Sequence, residues 1–321
     1  MSESVIPVID YASLSEQSAR FALDDACRKW GFFQLINHEI PAGESAKLLD
    51  AMGSFFSLPQ SEKAKLSRTD QNPWGFFDQE LTKNTPDWKE IFDYGPEYGD
   101  THRPVWPEQL PEFREAVEAF YQHCETLAFE LTEVIGAVLG ASPGMLSSLF
   151  QPVHTSFVRA NYYPVCPNPE SPADISTPAQ GHQGINHHTD AGLLTILLQD
   201  AAPGLEVYKA GSWHLVEPLA DALVINIGDI AQVLSNDRYH AALHRVRASS
   251  TYERYSVPFF FNPSYSANYQ PLRSVFETGE RPLYSAINWG EFRASRAAGD
   301  YADVGEEIQI SDFRLERAIA R

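Results

Sequence analysis

The sequence lacks any long apolar run. In its 321 residues no uninterrupted hydrophobic stretch reaches the roughly 18 residues that a membrane-spanning helix needs. The first residues, MSESVIPVIDY, do not combine a basic segment with a following apolar segment, as a secretory signal does. We therefore expect neither a membrane span nor a signal peptide, and we predict a cytoplasmic protein.

Basic residues and cysteines are also scarce. The chain has 24 Lys and Arg against 43 Asp and Glu, and the net charge of −19 is spread along it. Nucleic acids and anionic membranes need a basic face, so this charge argues against both as partners. An anionic ligand would need a local cationic anchor. The three cysteines (Cys27, Cys124 and Cys166) show no CxxC spacing, which favours free thiols over a disulfide or a zinc site.

The amino-terminal part alternates short strands with helices. IPVID (6–10) and FFQLIN (32–37) have strand character. Apolar residues recur at helical spacing between these two stretches and again after the second one. Residues 66–110 are polar and rich in proline, which predicts an ordered loop with short strands. From 111 to 139, apolar residues recur every three or four positions after Pro111, which predicts the longest helix.

Beyond Pro143 the sequence is rich in β-type runs. Short runs without intervening helices indicate an antiparallel sandwich or barrel rather than a parallel sheet with crossover helices. Neither GxGxxG nor GxxxxGK[ST] occurs, so a dinucleotide or P-loop fold has no support. The segment 285–299 is predicted to be helical. The predicted strands are 155–165, 193–199, 204–208, 213–217, 222–227, 243–249 and 255–261.

One stretch of this β-rich part carries two side chains that can bind a metal. His188 and Asp190 stand two positions apart, and on a strand such residues point to the same face. With His244 as a third ligand they make two imidazoles and one carboxylate, a set typical of non-haem Fe(II) oxygenases. One His-x-Asp triplet among ten histidines is weak evidence by itself, and a solvated surface turn is the alternative.

Polar side chains also alternate along two of the predicted strands. An inward-pointing arginine in an apolar strand is costly unless it is paired, so a buried salt bridge is one interpretation. The other is an anchor for a ligand carboxylate, which a guanidinium binds through two charge-assisted hydrogen bonds. We favour the anchor. The residues that share these faces are Arg159, Asn161 and Tyr163 on the first strand and Arg254, Ser256, Phe260 and Asn262 on the second.

Together these stretches resemble the 2-oxoglutarate- and Fe(II)-dependent oxygenases of the isopenicillin N synthase-like family over nearly the whole chain. IPVIDY, WGFFQLINHEIP and SFFSLPQSEK resemble the family's N-terminal region. RANYYPVCP, HHTDAGLLTILLQD, GLEVYKAGSWHLVEP, ALVINIGDIAQVLSND, HRV and RYSVPFFFNP resemble its catalytic core, and the order HTD, HRV, RYS is highly specific. The resemblance implies a fold that is mainly β with flanking helices around a double-stranded β-helix (jelly roll). We expect 1–110 to be an N-terminal α/β region and 111–321 to hold the long helix, the jelly-roll core and a C-terminal helix, in one compact unit.

Position by position, the resemblance makes His188, Asp190 and His244 the ligands of Fe(II). Arg254 and Ser256 would hold the distal carboxylate of 2-oxoglutarate, the cosubstrate, while O2 serves as oxidant and ascorbate is a candidate reductant. The implied reaction oxidises a small molecule by hydroxylation, desaturation, demethylation or cyclisation and releases succinate and CO2. The other side chains implied at the 2-oxoglutarate site are Tyr163 and Asn161.

The substrate side is expected to combine an apolar wall with one cationic group. Such a site would suit a mid-sized, partly aromatic or terpenoid specialised metabolite with a carboxylate or carbonyl group. We expect a monomer, with a weak dimer as the alternative. The candidate substrate residues are Arg159, Phe260 and Asn262 near the iron, and Phe76 and Phe77 in the preceding loop region.

Two points stay open at the level of sequence. The segment 167–186 is longer than the resemblance leads us to expect, and we weigh a surface loop against a lid over the iron formed by 170–187. The function has three rivals. An Fe(II) oxidase that uses no 2-oxoglutarate could employ the same Arg254 and Ser256 for a substrate anion. A non-catalytic binding protein would usually have lost a ligand or the anchor, and a zinc hydrolase would need a general base that no pattern marks.

Overall fold

The protein is described by a computed structural model that covers residues 6–97, 99, 101–177, 179–298 and 308–315. No helix within these ranges is long and apolar enough to cross a membrane. The predicted long helix is present, while the helix predicted for 285–299 begins only at Trp289, and residue 299 lies outside the described residues. The helices are α1 (Gln17–Lys29), α2 (Ala42–Phe56), α3 (Gln60–Ala64), α4 (Pro111–Val138), α5 (Asp229–Leu234) and α6 (Trp289–Arg296).

All seven strands predicted beyond Pro143 are present, with ends displaced by at most three residues. The strands are β1 (Val8–Asp10), β2 (Phe32–Ile36), β3 (Gly75–Phe77), β4 (Leu81–Thr82), β5 (Thr85–Pro86), β6 (Glu90–Tyr94), β7 (Phe157–Tyr163), β8 (Ile185–His188), β9 (Leu194–Gln199), β10 (Leu205–Lys209), β11 (Ser212–Leu215), β12 (Leu223–Ile227), β13 (His244–Val246), β14 (Arg254–Phe261), β15 (Asn268–Tyr269) and β16 (Ile287–Asn288).

Most strands belong to two sheets. The larger sheet has eight strands in the order β1-β2-β12-β9-β14-β7-β6-β3, and the smaller has four in the order β11-β10-β13-β8. Within them only β1 and β2 pair in parallel. Apolar side chains of both sheets form one buried cluster, in which Phe32 and Leu197 of the larger sheet meet Val207 and Val246 of the smaller. The sheets therefore pack face to face, as a jelly roll requires.

The other face of the larger sheet is covered by helices. β9 (LTILLQ) and β12 (LVINI) read as continuous apolar runs because nearly every side chain in them is buried. Helix α4 contributes buried residues at helical spacing to this second cluster, among them Phe113, Phe120 and Leu131. Cys124 lies on the same buried face and packs in this cluster as a free thiol.

The amino-terminal strands complete the larger sheet. β2 pairs with β12, and β6 pairs with β7. Strands from either side of residue 110 thus share one sheet and one core. Hydrogen bonds of the larger sheet join strands from both sides of residue 110. The boundary at residue 110 itself remains a prediction.

Candidate metal centre and the cavities beside it

A pair of strands in the smaller sheet brings the predicted metal ligands together. β8 ends at His188 and β13 begins at His244, and these two residues are partners across the antiparallel pair. Asp190 lies in the loop after β8, so the prediction that its side chain and that of His188 project from one strand is wrong. The loop nevertheless turns the carboxylate back, and Asp190 Oδ1 lies 3.6 Å from His188 Nε2 and 3.7 Å from His244 Nε2. Ligand atoms of all three residues lie within 4.8 Å of one another, so one metal ion can contact all three.

Backbone carbonyl groups set the orientation of both imidazoles. His188 Nδ1 lies 2.9 Å from the carbonyl oxygen of Asn186, and His244 Nδ1 lies 3.0 Å from that of Ala242. A carbonyl oxygen can only accept a hydrogen bond, so we assign the proton of each neutral ring to Nδ1. Each Nε2 then presents its lone pair towards Asp190, which is the tautomer that a metal ligand needs.

One oxygen of the Asp190 carboxylate is held by the protein, and the other faces the imidazoles. Thr195 Oγ1 and Asn226 Nδ2 donate to Oδ2 at 2.5 and 2.8 Å. Burial alone would raise the pKa of Asp190, but the neighbouring His244 and His188 and the two donors outweigh burial and lower it. Asp190 is therefore ionised at neutral pH, with Oδ1 directed at the metal position.

The same crowding keeps His188 neutral. Burial and the nearby His244 lower the pKa of His188 to about 3, against the opposing effect of Asp190. A metal binds the unprotonated ring, so a cation can enter at neutral pH without first displacing a proton from His188.

The loop between the ligands is braced by the end of helix α6. Arg296 is buried, and its Nη1 donates to Asp229 Oδ2 at 2.8 Å while its Nη2 donates to the carbonyl of Thr189 at 3.1 Å. The backbone N–H of Asp229 in turn donates to the carbonyl of Asp190 at 2.8 Å. Sequence reasoning missed Arg296, because the pair spans 67 residues and no local pattern marks it.

A small cavity of ≈ 50 Å³ lies between the triad and the larger sheet. Arg254 lines it from β14 and is only 2% exposed. Its Nη2 donates to Gln199 Oε1 at 3.1 Å, whereas Nε and Nη1 have no hydrogen-bond partner among the described residues. A buried, charged donor without a partner costs about 1–3 kcal/mol or more, so these two N–H groups fit an organic carboxylate.

The other residues predicted for 2-oxoglutarate surround Arg254. Tyr163 is its partner across the strand pair, and the Tyr163 hydroxyl lies 3.4 Å from Ser256 Oγ. Asn161 is buried, and its Oδ1 also has no partner within the described part of the chain. Gly204 leaves room for the arginine, since a Cβ there would lie 3.1 Å from Arg254 Cδ. All four predicted residues line the cavity that the triad lines.

A larger cavity of ≈ 390 Å³ adjoins the same triad. His188 and Asp190 form part of its wall, and so do the predicted substrate residues Arg159, Phe260 and Asn262. The cavity therefore opens a space of substrate size beside two of the metal ligands.

Two other predicted substrate residues lie elsewhere. Phe76 is buried in the core, where its ring centroid is 6.4 Å from that of Phe55 on α2. The guanidinium of Arg68 lies over the ring of Phe77, with its central carbon 3.7 Å from the ring centroid. Neither phenylalanine lines the larger cavity. Their strand β3 is the edge strand of the larger sheet, and the ring of Phe76 packs against helix α2.

The guanidinium of Arg159 is held by acidic residues. Its Nε and Nη2 donate to the Asp93 carboxylate at 2.7 and 2.8 Å, and its Nη1 donates to Glu80 at 2.9 Å. Arg68 donates to the same two carboxylates. Sequence reasoning missed another cation of this wall, Lys89, because it lies in an irregular stretch without periodicity.

The described part of the long segment that precedes β8, within residues 167–184, lies beside the outer face of this strand. This part of the segment lines neither cavity beside the triad. Instead it shares a separate cavity of ≈ 210 Å³ with His187, and Arg245 Nη1 donates to the carbonyl of Pro172 at 2.5 Å. Successive strand residues point to opposite faces, so the segment covers the face away from His188. The structure favours the surface loop over the lid.

Fold and site together define a class of protein. A jelly roll that gathers two imidazoles, one carboxylate and a buried anchor for an organic acid has the make-up of a non-haem iron oxygenase. The family described as the 2OG-Fe(II) oxygenase superfamily matches residues 154–263, and the one described as non-haem dioxygenase in morphine synthesis N-terminal matches residues 6–113. The chain belongs to the 2OG-Fe(II) oxygenase superfamily and is a non-haem Fe(II)- and 2-oxoglutarate-dependent dioxygenase.

Its similarity to known proteins extends over most of the chain. Feruloyl CoA ortho-hydroxylase 2 of Arabidopsis thaliana is 33% identical over 299 residues, which cover 91% of this chain and 79% of that protein. Flavanone 3-dioxygenase 2 of Oryza sativa subsp. japonica is 34% identical over 303 residues, with 91% and 83% covered. The crystal structure of JOX2 with 2OG, Fe and JA matches with a TM-score of 0.78 at 28% identity, over 91% of this chain and 85% of that one. The predicted family, jelly-roll fold and cofactors are thus confirmed.

Proposed function

We propose that this dioxygenase oxidises a small specialised metabolite and that His188, Asp190 and His244 hold its Fe(II). The observation that carries the proposal is the meeting of three ligand atoms and the unpartnered donors of Arg254 at one cavity. With 2-oxoglutarate and O2, bound Fe(II) supplies an oxidant strong enough for a C–H bond, and succinate and CO2 are released. The protein itself holds the ligands, orients the substrate and excludes water.

We assign the distal carboxylate of 2-oxoglutarate to the small cavity. Arg254 Nε and Nη1 are the donors for it, and the hydroxyls of Ser256 and Tyr163 lie beside them. Asn161 completes the wall on the side of the triad. The low exposure of Arg254 supports this assignment, because a charge-assisted pair is strongest where water is excluded.

The larger cavity is proposed for the substrate. The relatives named above act on a feruloyl thioester and a flavanone by their names, and an aromatic or terpenoid body suits the ring of Phe260 here. Arg159 is the cation that the sequence places at this site. Since Asp93 and Glu80 hold its guanidinium, we expect Arg159→Ala to disturb the wall, weakening substrate binding while sparing 2-oxoglutarate.

Anaerobic titration with Fe(II) and 2-oxoglutarate, followed by a metabolite screen scored for succinate and substrate-dependent O2 uptake, tests this function. Stoichiometric succinate supports the dioxygenase. Substrate oxidation without succinate would instead support an oxidase that uses Arg254 for a substrate anion. Ligand binding that survives complete removal of the metal, with no turnover, would revive the non-catalytic binding protein.

We also infer a monomer in a reducing, cytoplasmic compartment. Support for the compartment comes from Cys27, Cys124 and Cys166, which are all buried and free. Sedimentation of the purified protein and localisation of a tagged chain test the two parts separately.

A further inference from the structure

The wall of the larger cavity has a charge opposite to that of the whole protein. The chain carries a net charge of −19, yet only two of the charged side chains that line this cavity, Glu80 and Asp190, are acidic. A concave surface in which one sign of charge predominates attracts ligands of the opposite sign. The basic side chains that line the cavity are Arg68, Lys89, Arg159, Arg293 and Arg296.

Most of these cations are already engaged by the fold. Arg159 directs three of its nitrogens at Asp93 and Glu80, and Arg68 binds the same two carboxylates. Arg296 is paired with Asp229 at 2.8 Å. These arginines build the wall, and the donors named here are bonded to carboxylates of the protein.

Lys89 differs from its neighbours. Its ammonium group has three N–H donors, and the one acceptor recorded for it in the described chain is Asp87 Oδ2, at 3.1 Å. That oxygen also accepts a hydrogen bond from Thr82 Oγ1 at 2.8 Å. The side chain of Lys89 is only 2% exposed, yet it lines the cavity together with the metal ligand His188. A buried ammonium with spare donors and a shared counter-ion suits a second anion.

Apolar side chains form much of the remaining wall, beside the polar Thr82, Asn161 and Asn262. Phe157 and Phe260 face each other with ring centroids 4.8 Å apart, and Pro258 and Ile185 extend this surface towards the triad. We propose that the substrate is an amphiphilic organic anion whose acid group pairs with Lys89 while its apolar body lies along Phe157 and Phe260. This inference rests on the proposed function, because it takes the larger cavity as the substrate site.

The behaviour of Glu80 supports a positive field in this wall. Burial alone would raise the pKa of the Glu80 carboxyl, but the charges of Arg159, Lys89 and Arg68 outweigh burial and lower it to about 2. Lys89 is thus close enough to a carboxylate in this wall to stabilise its ionised form.

Matched acids and esters test the proposal without turnover. The probes are cinnamate, 4-phenylbutyrate and cyclohexanepropionate, each beside its methyl ester, titrated anaerobically into the Fe(II) enzyme with saturating 2-oxoglutarate. Saturation keeps the probes from competing at Arg254. We expect the best acid to bind about tenfold more tightly than its ester, and this ratio to fall towards one in Lys89→Met. Lys89→Arg should retain the preference, and Lys47→Met, at an exposed lysine of α2, should leave it unchanged.

A double variant guards against misfolding. Lys89→Met leaves Asp87 buried without its cation, so Lys89→Met/Asp87→Asn removes both charges together. Asp87→Asn alone should strengthen acid binding, because it removes the competing anion. The inference is overturned if wild-type enzyme binds no acid, if it binds esters as tightly as acids, or if the acid preference survives in the folded Lys89 variants. A failure of the proposed function would show itself differently, as absence of succinate or of 2-oxoglutarate binding in the wild type.

Discussion

Each of the two cavities of this enzyme is lined by an inward-pointing arginine from one of two paired strands, and the two arginines differ in their hydrogen-bond partners. Arg254 on β14 and Arg159 on β7 both point inward from antiparallel neighbours of the larger sheet. Three nitrogens of the Arg159 guanidinium donate hydrogen bonds to the carboxylates of Asp93 and Glu80. Among the described residues, Arg254 donates to the neutral amide oxygen of Gln199 and to no carboxylate. The charge of the hydrogen-bond partners therefore distinguishes the two sites, although both have an arginine on a strand of the larger sheet.

The difference teaches how to recognise an anchor for a ligand. A buried guanidinium is tolerated when its charge is compensated, either by the fold or by a bound molecule. Arg159 is compensated by the fold, through Asp93 and Glu80, and so belongs to the framework of the larger cavity. Arg254 has two N–H donors without a partner among the described residues, which supports the proposal that it binds a ligand.

The largest expected effect comes from Asp190, a predicted metal ligand that lines both cavities. Asp190→Ala removes the carboxylate between the two imidazoles, and we expect succinate formation to fall to background because Fe(II) is no longer held. Metal content and anaerobic 2-oxoglutarate binding measure the two losses. Asp50→Ala, at an exposed position of α2, is the matched control and should keep both. Full activity of Asp190→Ala would remove the triad from the site.

The comparison itself is tested by exchanging each arginine for methionine. Arg254→Met should weaken 2-oxoglutarate binding about a hundredfold, the equivalent of about 3 kcal/mol, because a buried charge-assisted pair is lost. Arg159→Met should leave 2-oxoglutarate affinity close to that of the wild type and instead lower the free energy of unfolding, because Asp93 and Glu80 lose their partner. Isothermal titration and urea denaturation measure the two quantities. Equal effects of both variants on 2-oxoglutarate would erase the distinction.

Lowering the pH should show how much the ionised Glu80 carboxylate, which is paired with Arg159, contributes to the free energy of unfolding. The pKa of Glu80 is lowered from 4.5 to about 2, so its ionised form contributes stability above pH 4.5 that is lost as the pH falls towards 2. We expect the advantage of wild type over Glu80→Gln in the free energy of unfolding to shrink by about 3 kcal/mol across this window. Urea denaturation at a series of pH values measures it, with the exposed Glu115→Gln as control. A gap that stays constant with pH would contradict the ionic role of Glu80.

The smallest effect is expected from the long segment outside both cavities. Deletion of 170–180 should leave the KM for substrate and the uncoupled turnover of 2-oxoglutarate unchanged, because its described residues line neither cavity. The flanking backbone can close the gap, since His182 and Asn168 are already hydrogen-bonded at 2.9 Å. A clear rise in uncoupled turnover, measured as succinate formed without substrate oxidation, would restore the lid hypothesis.

Much of the fold and part of the site were accessible from the sequence. Local periodicity predicts α4 and the strands beyond Pro143, because each depends on which face of one element is buried. The three ligands and Arg254 stand in short stretches with a recognisable order, and the structure brings them to one cavity. By contrast, Phe76 was predicted at the substrate site, yet its ring is buried against α2, a contact between separate elements that no local pattern marks.

By itself, the sequence determined the chemical inventory: the donor set of an iron site, the anchor for an organic acid, and the alternation of strands that forms the jelly roll. Only the tertiary structure decided which arginines have a carboxylate partner. Arg159 pairs with Asp93 across 66 residues, and Arg296 pairs with Asp229 across 67. The tertiary structure also decided that Lys89 lines the larger cavity and that the long segment lies outside it. The physical reason is that periodicity reports the burial of one element, whereas pairing of charges depends on contacts between distant elements.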